Sequence, residues 1–219
     1  MSYHVWRRSP LRVVGISTLA SRPVAPAERE STTIRLFIAV DVPQDVCTAL
    51  ADIARRLNAH WPAGAVRWTP AGKQHLTLRF LGATAPTRVP TVTAALDELV
   101  AAESPFVLRL EGTGTFPQTG SARVLWVGLC DDDGYRRLLA LQRRLEERVQ
   151  KLGWQAESRS YHPHLTLGRL RRQTPAPVGD WKQHMPEPTV VPVDELVLMR
   201  SDLQDSGPQY TNLHAARLG

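Results

Sequence analysis

The sequence predicts an α+β fold, in which helices cover one face of antiparallel sheets. Stretches rich in β-branched and aromatic residues alternate with three stretches whose apolar residues recur at helical spacing. Several neighbouring strand stretches are separated by turns of hairpin length, which favours antiparallel pairing because a parallel pair needs a long crossover. Three such helices can cover only one face of the sheets, as an α+β architecture requires.

The first half of the domain is predicted to contain strands at 34–40, 66–69 and 75–81 and helices at 43–58 and 89–102. The first strand, IRLFIAV, is β-branched, aromatic and largely apolar. A proline begins the first helix, and apolar residues follow it at helical spacing. A Pro-Ala-Gly turn separates the two short strands, and the second helix carries one apolar stripe.

The second half is predicted to place one long helix, at 134–152, between two groups of strands. Leucines and a valine lie along one side of this helix. The predicted strands lie at 106–116, 123–129, 164–169, 193–199 and 209–218. The turn-rich segment PQTG joins the first two of these strands, as is typical of a hairpin.

Residues 1–30 are predicted to be a disordered extension, and residues 31–219 a single domain. The extension contains three prolines, shows no sustained periodicity and has no acidic residue before Glu28. Its Arg- and Ser-rich composition resembles that of a transit peptide. Because it has no clear amphipathic helix, a disordered extension or a start codon placed too early accounts for it better.

The net charge of +6 is unevenly distributed. Five arginines and two glutamates give residues 1–30 a charge of +3, so residues 31–219 carry the remaining +3. So weak a charge does not indicate a duplex-DNA-binding protein, and it suits a small anionic substrate. Arginine, with 24 residues against 3 lysines, suits bidentate contact with phosphate, although a genome-wide bias toward arginine accounts more simply for most of that number.

Cysteine content and hydropathy exclude several classes of protein. Cys47 and Cys130 lie far apart and form no CxxC pattern, so they supply neither a disulfide framework nor a zinc site. A reducing cytoplasm is the simplest compartment for such a chain. No apolar run approaches the roughly 20 residues that a membrane helix needs, so no membrane partner is expected.

The tetrapeptide His-Leu-Thr-Leu occurs twice, beginning at His75 and at His164, in two of the predicted strands. Alternate side chains of a strand share a face and lie about 6.6 Å apart. His75 and Thr77 therefore share one face while the leucines share the other, and His164 and Thr166 repeat this arrangement. Each strand thus has an apolar face for the core and an imidazole–hydroxyl face for a site.

Two such faces suit in-line displacement at phosphorus without a metal. The attacking water loses a proton on one side of the phosphorus, and the leaving oxygen gains one on the other side. A neutral histidine can serve as the base and a protonated histidine as the acid. The threonine hydroxyls can donate hydrogen bonds to the phosphoryl oxygens as charge builds on them.

A single copy of the motif would fit two simpler roles. One His-x-Thr on a strand is usually a solvent-exposed imidazole and hydroxyl without function. A zinc site is the second such role, but no Asp, Glu or Cys accompanies either histidine at ligand spacing. Two identical copies on matched strands favour acid–base catalysis, and neither a metal nor a cofactor is expected.

Further stretches of sequence follow one another around the two motifs. They are RLFIAV from Arg35, VRWT from Val66, HLTLRFLG from His75, GTFP from Gly114, RVLW from Arg123, YHPHLTLGR from Tyr161, LMRS from Leu198 and YTNL from Tyr210. In this order and spacing, residues 34–218 resemble the two-histidine phosphoesterase superfamily. Within it they are most similar to the bacterial RNA 2′,3′-cyclic phosphodiesterases, also called 2′-5′ RNA ligases.

The resemblance implies a bilobal fold, in which two pseudo-symmetric halves, each an antiparallel sheet with helices, flank a central groove. It implies that His75 is the general acid and His164 the general base, although the pseudo-symmetry leaves the reverse assignment open. It further implies that Thr77, Thr166 and Arg169 bind the phosphate. The implied reaction opens an RNA 2′,3′-cyclic phosphate end to a 2′-phosphate.

Single-stranded RNA is usually recognised by aromatic stacking and by basic side chains. Tyr161, just before the second motif, and Arg79, on the nominal site face of the first, are candidates for such contacts. The other aromatic candidates, Phe80, Phe116 and Trp126, are more typical of a core.

Two alternative functions stay open. A related phosphoesterase acting on a cyclic nucleotide, an ADP-ribose cyclic phosphate or a 2′-5′ linkage would carry the same motifs, so substrate profiling is needed to separate them. A non-catalytic RNA-binding relative is disfavoured because both histidines and both threonines are intact. The expected partner is RNA with a cyclic phosphate end, such as a tRNA half or a decay fragment, and the expected state is a monomer.

Overall fold

The computed structural model describes residues 33–175, 189–205 and 207–219, which belong to one compact unit, Thr32–Gly219. The predicted extension at 1–30 lies outside the described residues. The described helices are α1 (Gln44–Asn58), α2 (Val89–Val100) and α3 (Asp133–Lys151), with one turn of 3-10 helix, Pro86–Arg88, before α2. The described strands are β1 (Ile34–Asp41), β2 (Val66–Trp68), β3 (His75–Thr84), β4 (Phe106–Phe116), β5 (Ser121–Leu129), β6 (Leu165–Pro175), β7 (Val190–Val193), β8 (Glu195–Gln204) and β9 (Gly207–Arg217).

Every pairing between these described strands is antiparallel. They form a sheet in the order β7-β4-β5-β6-β3-β1-β8-β9, and β2 also pairs with β6. The predicted α+β class is therefore confirmed. Each predicted helix and strand has a counterpart, but β7 was not predicted, because the expected strand at 193–199 corresponds to β8.

The two His-Leu-Thr-Leu segments meet at the centre of the sheet. β1, β3, β8 and β9 lie on one side of this junction, and β4, β5, β6 and β7 lie on the other. β3 and β6 pair at Leu76, which lies opposite Leu165. Equivalent leucines of the two motifs thus join the two halves, as the predicted bilobal arrangement requires.

The main core lies between the sheet and the helices. α1 contacts β6, α2 contacts β8 and β9, and α3 contacts β3 and β4. The four motif leucines, Leu76, Leu78, Leu165 and Leu167, belong to this core and are at most 3% exposed. Because burial of a leucine side chain is worth about 1.5–3 kcal/mol, these residues fix which face of each motif points away from the helices.

The face opposite the helices carries a second, smaller apolar cluster. Phe37, Ala39, Val197 and Met199 are buried there, and Tyr210 packs against them. These residues come from β1, β8 and β9, the strands of the first half. They give that half a packed floor under the polar side chains of β3.

Candidate active site

The two motif histidines are held in the same way. His75 begins β3 and His164 directly precedes β6, and both side chains are half-buried. Nδ1 of His75 lies 3.1 Å from the carbonyl oxygen of Lys73, and Nδ1 of His164 lies 2.7 Å from that of His162. Because a carbonyl oxygen only accepts hydrogen bonds, each Nδ1 carries a proton and donates it. Nε2 of each ring is thus left to take or give a proton.

The motif threonines lie beside the histidines on the same face. Thr77 and Thr166 are half-buried, whereas the intervening leucines are buried. Because β3 and β6 run antiparallel through their paired leucines, Thr77 lies on the His164 side of the junction and Thr166 on the His75 side. Neighbouring strands are about 4.8 Å apart and alternate residues about 6.6 Å apart, so these four side chains surround a space on the scale of a phosphate group.

Aromatic rings support each imidazole. The His75 ring packs against both Phe37 and Tyr210, with centroid separations of 4.8 Å and 4.9 Å, and these two rings also contact each other at 5.3 Å. The His164 ring makes an edge contact with Phe116 at 4.9 Å. Sequence reasoning gave Phe37 and Tyr210 no role, although both lie in stretches that carry the family resemblance. The rings fix both imidazoles by packing in addition to their backbone hydrogen bonds.

Burial lowers the pKa of both motif imidazoles below the ordinary histidine value. For His75, desolvation is the largest cause, and it is opposed by the backbone hydrogen bond and by Asp41, which lies opposite His75 on β1. The positive charges of His164 and Arg169 lower the His75 pKa further. For His164, desolvation is again the largest cause, its backbone hydrogen bond opposes it, and Arg169 and His162 add to it. Among the described groups, a carboxylate thus favours the protonated form of His75 but not that of His164.

Arg169 reaches the site face through a β-bulge in β6. Thr166 and Gly168 lie opposite consecutive residues of β5, so Leu167 is an extra residue in the strand. In an uninterrupted strand, a residue five positions after His164 would point toward the helices, and the bulge returns it to the site face. Arg169 is exposed, and its charge lowers the pKa of both motif histidines. Its guanidinium therefore interacts electrostatically with both imidazoles.

β3 contains the equivalent bulge, and it corrects the prediction for Arg79. Thr77 and Arg79 lie opposite consecutive residues of β1, so Leu78 is the extra residue. As a result Arg79 points toward the helices and Phe80 points to the site face. The prediction that Arg79 shares the face of Thr77 is wrong, because it assumed uninterrupted alternation.

The surroundings of Arg79 are those of a structural residue. Its side chain is 9% exposed, and Nε lies 2.6 Å from Oε2 of Glu146 on α3. Nη1 donates to the carbonyl oxygen of Phe80 at 2.9 Å, and Nη2 donates to that of Gln155. Arg79 therefore ties β3 to α3 and to the segment after it, and it does not line the site.

Tyr161 also differs from the RNA contact suggested by the sequence. Its ring packs against the main core, and its hydroxyl donates a hydrogen bond of 3.1 Å to the carbonyl oxygen of Thr77. Burial raises the pKa of this hydroxyl above the ordinary tyrosine value. The side chain thus connects the segment before the second motif to the strand of the first. We assign it a positioning role.

Arg67 is a site residue that the sequence did not single out. It lies opposite Arg169 in the register of β2 and β6, and it is exposed. Burial raises the pKa of Tyr210, and the charges of both arginines oppose that rise. Both guanidinium groups therefore lie near the ring that contacts His75. The sequence feature that could have identified Arg67 is its position in the VRWT stretch, which is part of the family resemblance.

A cavity of about 300 Å³ extends from His164 into the second half. Its walls include Phe116, Trp126, Glu111, Tyr135 and the exposed side chain of His162. A larger cavity of about 550 Å³ lies between α2 and α3 and contains none of the site residues. The candidate site is the sheet face beside the smaller cavity, where the antiparallel register brings the two motif imidazoles and the two threonine hydroxyls together.

The part of the chain that the structure describes contains neither a cluster of metal ligands nor a membrane helix. No three His, Cys, Asp or Glu side chains come together within it in a way that could hold a metal ion. None of the described helices is both long and apolar enough to cross a membrane.

Comparison with known proteins places this site in a family. The family model for the 2′-5′ RNA ligase superfamily matches residues 42–205. A protein of Thermus thermophilus named RNA 2′,3′-cyclic phosphodiesterase is 35% identical over 191 residues, covering 82% of this chain and 88% of the relative. The crystal structure of TT0787 of Thermus thermophilus superposes with a TM-score of 0.71 at 30% identity, covering 84% of this chain and 98% of that one. E. coli LigT complexed with 3′-AMP gives a TM-score of 0.64 at 26% identity, with 85% and 98% covered. The chain therefore belongs to the 2′-5′ RNA ligase superfamily.

Proposed function

We propose that this protein hydrolyses 2′,3′-cyclic phosphate ends of RNA to 2′-phosphates, without a metal, by acid–base catalysis at His75 and His164. The observation that carries the proposal is the antiparallel meeting of the two His-Leu-Thr-Leu segments at Leu76 and Leu165. It brings two imidazoles with free Nε2 atoms to one groove, each beside a threonine hydroxyl of the other motif. The names of the relatives support the substrate.

The reaction divides between the two imidazoles. Nε2 of His164 takes a proton from a water molecule, which attacks phosphorus on the side opposite O3′. The bond between phosphorus and O3′ breaks, and Nε2–H of His75 gives its proton to O3′. The product carries a 2′-phosphate and a free 3′-hydroxyl, and exchange with solvent returns both rings to their starting protonation. Each step conserves charge and protons.

Charge on the phosphoryl oxygens is balanced by donors from both halves. In this proposal the hydroxyls of Thr77 and Thr166 and the guanidinium of Arg169 bind these oxygens as negative charge builds. A bound phosphate also raises the pKa of both imidazoles, because an opposite charge favours their protonated forms. The carboxylate of Asp41 directs the retained proton to His75.

The test is hydrolysis of an oligoribonucleotide ending in a 2′,3′-cyclic phosphate, in excess EDTA, with the product identified by phosphorus NMR. The wild type should yield a 2′-phosphate, and His75→Ala and His164→Ala should each lower turnover by at least about 10²-fold, the lower range for a positioned acid or base. His214→Ala is the matched control, because His214 pairs with Asp97 on α2 at 2.7 Å, away from the site.

Three outcomes would count against the proposal. A 3′-phosphate product would mean that the bond between phosphorus and O2′ breaks, and not the bond between phosphorus and O3′. Loss of activity in EDTA would contradict metal independence. Absence of any conversion would move the search to cyclic nucleotides and 2′-5′ linkages, and then to RNA binding without turnover.

A further inference from the structure

We propose that Arg67 binds the phosphodiester that precedes the terminal nucleotide, so that the site favours the end of an RNA chain over a cyclic mononucleotide. This inference rests on the proposed hydrolysis at the same site. It gives Arg67 a role separate from binding of the reacting phosphate, which the proposed function assigns to Thr77, Thr166 and Arg169.

The register of the sheet puts Arg67 on the site face. Arg67 lies directly opposite Arg169 in the antiparallel pair of β2 and β6, and residues opposite each other project from the same face of a sheet. Both side chains are exposed. Val66, the neighbour of Arg67 in β2, is buried in the main core, as strand alternation requires.

The backbone that carries Arg67 is held against β6 on both sides of the paired residues. The N–H of Thr69 donates to the carbonyl oxygen of Leu167 at 2.8 Å, and the N–H of Arg171 donates to that of Ala65 at 2.9 Å. These bonds extend the ladder between β2 and β6 in both directions. A binding residue on such a strand is positioned more closely than one on a loop.

Arg67 lies beyond His75 along the groove. Because Leu76 pairs with Leu165, Thr166 lies level with His75, and Arg169, which lies level with Arg67, follows it by three residues. At about 3.3 Å per residue, with Leu167 taken up by the bulge, the two levels are roughly 7–10 Å apart. That separation is on the scale of one nucleotide of an extended RNA strand.

The guanidinium of Arg67 lies against the start of β9, beside the floor of the first half. A Cβ atom at Gly207 would lie only 1.8 Å from Nη2 of Arg67, and Gly207 has a φ of +117°, which favours glycine. The charge of Arg67 also acts on Tyr210, where it lowers a pKa that burial raises. Since the Tyr210 ring contacts His75, the guanidinium lies on the His75 side of the groove.

The proposed reaction brings the preceding phosphodiester to this side. If His75 protonates O3′, the terminal ribose lies against the first half, and its C5′ lies across the ring from the reacting phosphate. The preceding phosphodiester is joined through O5′, one nucleotide from the reacting phosphorus. A guanidinium at that distance suits its anionic oxygens. The nearby Nζ of Lys73 instead donates to the carbonyl oxygen of Pro208 at 3.0 Å and holds β9 in place.

The experiment compares two dinucleotides that differ in one charge. Both are deoxyadenosine joined to adenosine 2′,3′-cyclic phosphate, one through a phosphodiester and the other through an uncharged methylphosphonate. The wild type should have a kcat/KM roughly 5- to 15-fold higher for the phosphodiester, the factor for one hydrogen-bonded charge pair reduced for the exposure of Arg67. In Arg67→Met this ratio should fall close to one, mainly because KM for the phosphodiester rises.

Arg136→Met is the matched control, because Arg136 is a 66% exposed arginine on α3, on the helix side of the sheet. It removes the same charge from the protein and should keep the wild-type ratio. A fall of the ratio in this variant as large as in Arg67→Met would overturn the inference, because overall charge would then explain the preference.

The outcomes separate this inference from the proposed function. A wild-type ratio near one would overturn the inference, since the preceding phosphate would then not be recognised. A ratio that survives in Arg67→Met would also overturn it, and an equal loss on both dinucleotides would mean that Arg67 only supports β9 and Tyr210. In each of these cases the cyclic phosphate still opens, so the proposed function stands. If the wild type hydrolyses neither dinucleotide nor the RNA end, the proposed function fails and this inference fails with it.

Discussion

Replacement of Arg79 should lower stability and spare catalysis, because its guanidinium lies on the helix side of the sheet. Arg79→Met keeps an unbranched apolar stem and removes the charge. The Glu146 side chain, only 17% exposed, would then remain as a mostly buried carboxylate without its nearest partner. Removing one member of a buried pair costs about 3–5 kcal/mol, and 1 kcal/mol lowers Tm by about 2–4 °C in a domain of this size, so Tm should fall by roughly 6–20 °C.

The assay combines thermal unfolding by circular dichroism with initial rates measured below both Tm values. Arg79→Met should have a lowered Tm and a normal kcat/KM on the RNA end. Arg169→Met is the matched control, since its guanidinium is exposed on the site face. It should show the opposite pattern, a lowered kcat/KM with a stability change within about 0.5 kcal/mol, as for an ordinary surface substitution.

The reasoning fails if Arg79→Met keeps its Tm and loses kcat/KM. That result would mean that Arg79 lies on the site face, so that β3 has no bulge at Leu78. A second variant guards against a general packing defect. Adding Glu146→Gln to Arg79→Met removes the unpaired buried charge, so part of the lost Tm should return. No recovery would mean that lost packing, and not the ion pair, caused the fall.

The remaining predictions concern protonation and support of the site. Because burial lowers the pKa of His75 and His164, the pH profile of kcat/KM should be a bell centred below about pH 6.5, and the bell for kcat should lie at higher pH because the bound anion raises both pKa values. If the pH profiles of kcat/KM and kcat coincided and were centred above about pH 6.5, they would contradict the lowered pKa values of the two histidines. Asp41→Asn should move the basic limb of kcat/KM to lower pH, since Asp41 raises the pKa of His75, and a shift of the acidic limb instead would reverse the acid and the base. Tyr161→Phe should lower the free energy of unfolding in urea by about 0.5–1.5 kcal/mol through loss of the bond to the Thr77 carbonyl oxygen, whereas an unchanged urea midpoint would show that this bond adds no stability.

Much of the fold could be predicted because its elements have strong periodicity. α3 buries Leu138, Leu141, Leu145 and Val149, the apolar stripe expected from their spacing. β7 was missed because Pro192 interrupts a short apolar run, and proline argues against a strand. The strand forms nonetheless because it lies at the end of the sheet, beside β4, where a missing N–H donor is tolerated.

The site could be predicted only as far as strand alternation holds. Within each motif, histidine and threonine share a face, and the leucines between them are buried as expected. The bulge at Leu78 has no glycine or proline beside it, and Leu78 and Leu167 are both ordinary apolar residues of the repeated tetrapeptide, although Gly168 directly follows the second bulge. The assumption of strict alternation therefore put Arg79 on the wrong face of the sheet. Arg169 was expected on the site face only because of the family resemblance.

The two halves repeat a backbone pattern but differ in the residue that lies opposite each motif histidine. Asp41 lies opposite His75, and the β5–β6 register continued by one residue sets Gly128 opposite His164. A Cβ atom at Gly128 would lie 3.0 Å from a backbone oxygen and 3.2 Å from the ring of Trp126. An acidic side chain does not fit there without displacing its neighbours. The first half can thus hold a carboxylate beside its imidazole, and the second half cannot.

This difference favours one of the two assignments that the repeated motif leaves open, with His75 as the proposed acid and His164 as the proposed base. A general acid must keep a proton that burial tends to remove, and a nearby carboxylate opposes that tendency at His75. A general base must be neutral before the reaction, and the charge of Arg169 favours that form of His164 without a carboxylate to oppose it. In the proposed reaction the leaving oxygen then lies beside the half that contains Asp41. We therefore propose that the residue opposite each histidine, Asp41 in one half and Gly128 in the other, determines which imidazole acts as the acid.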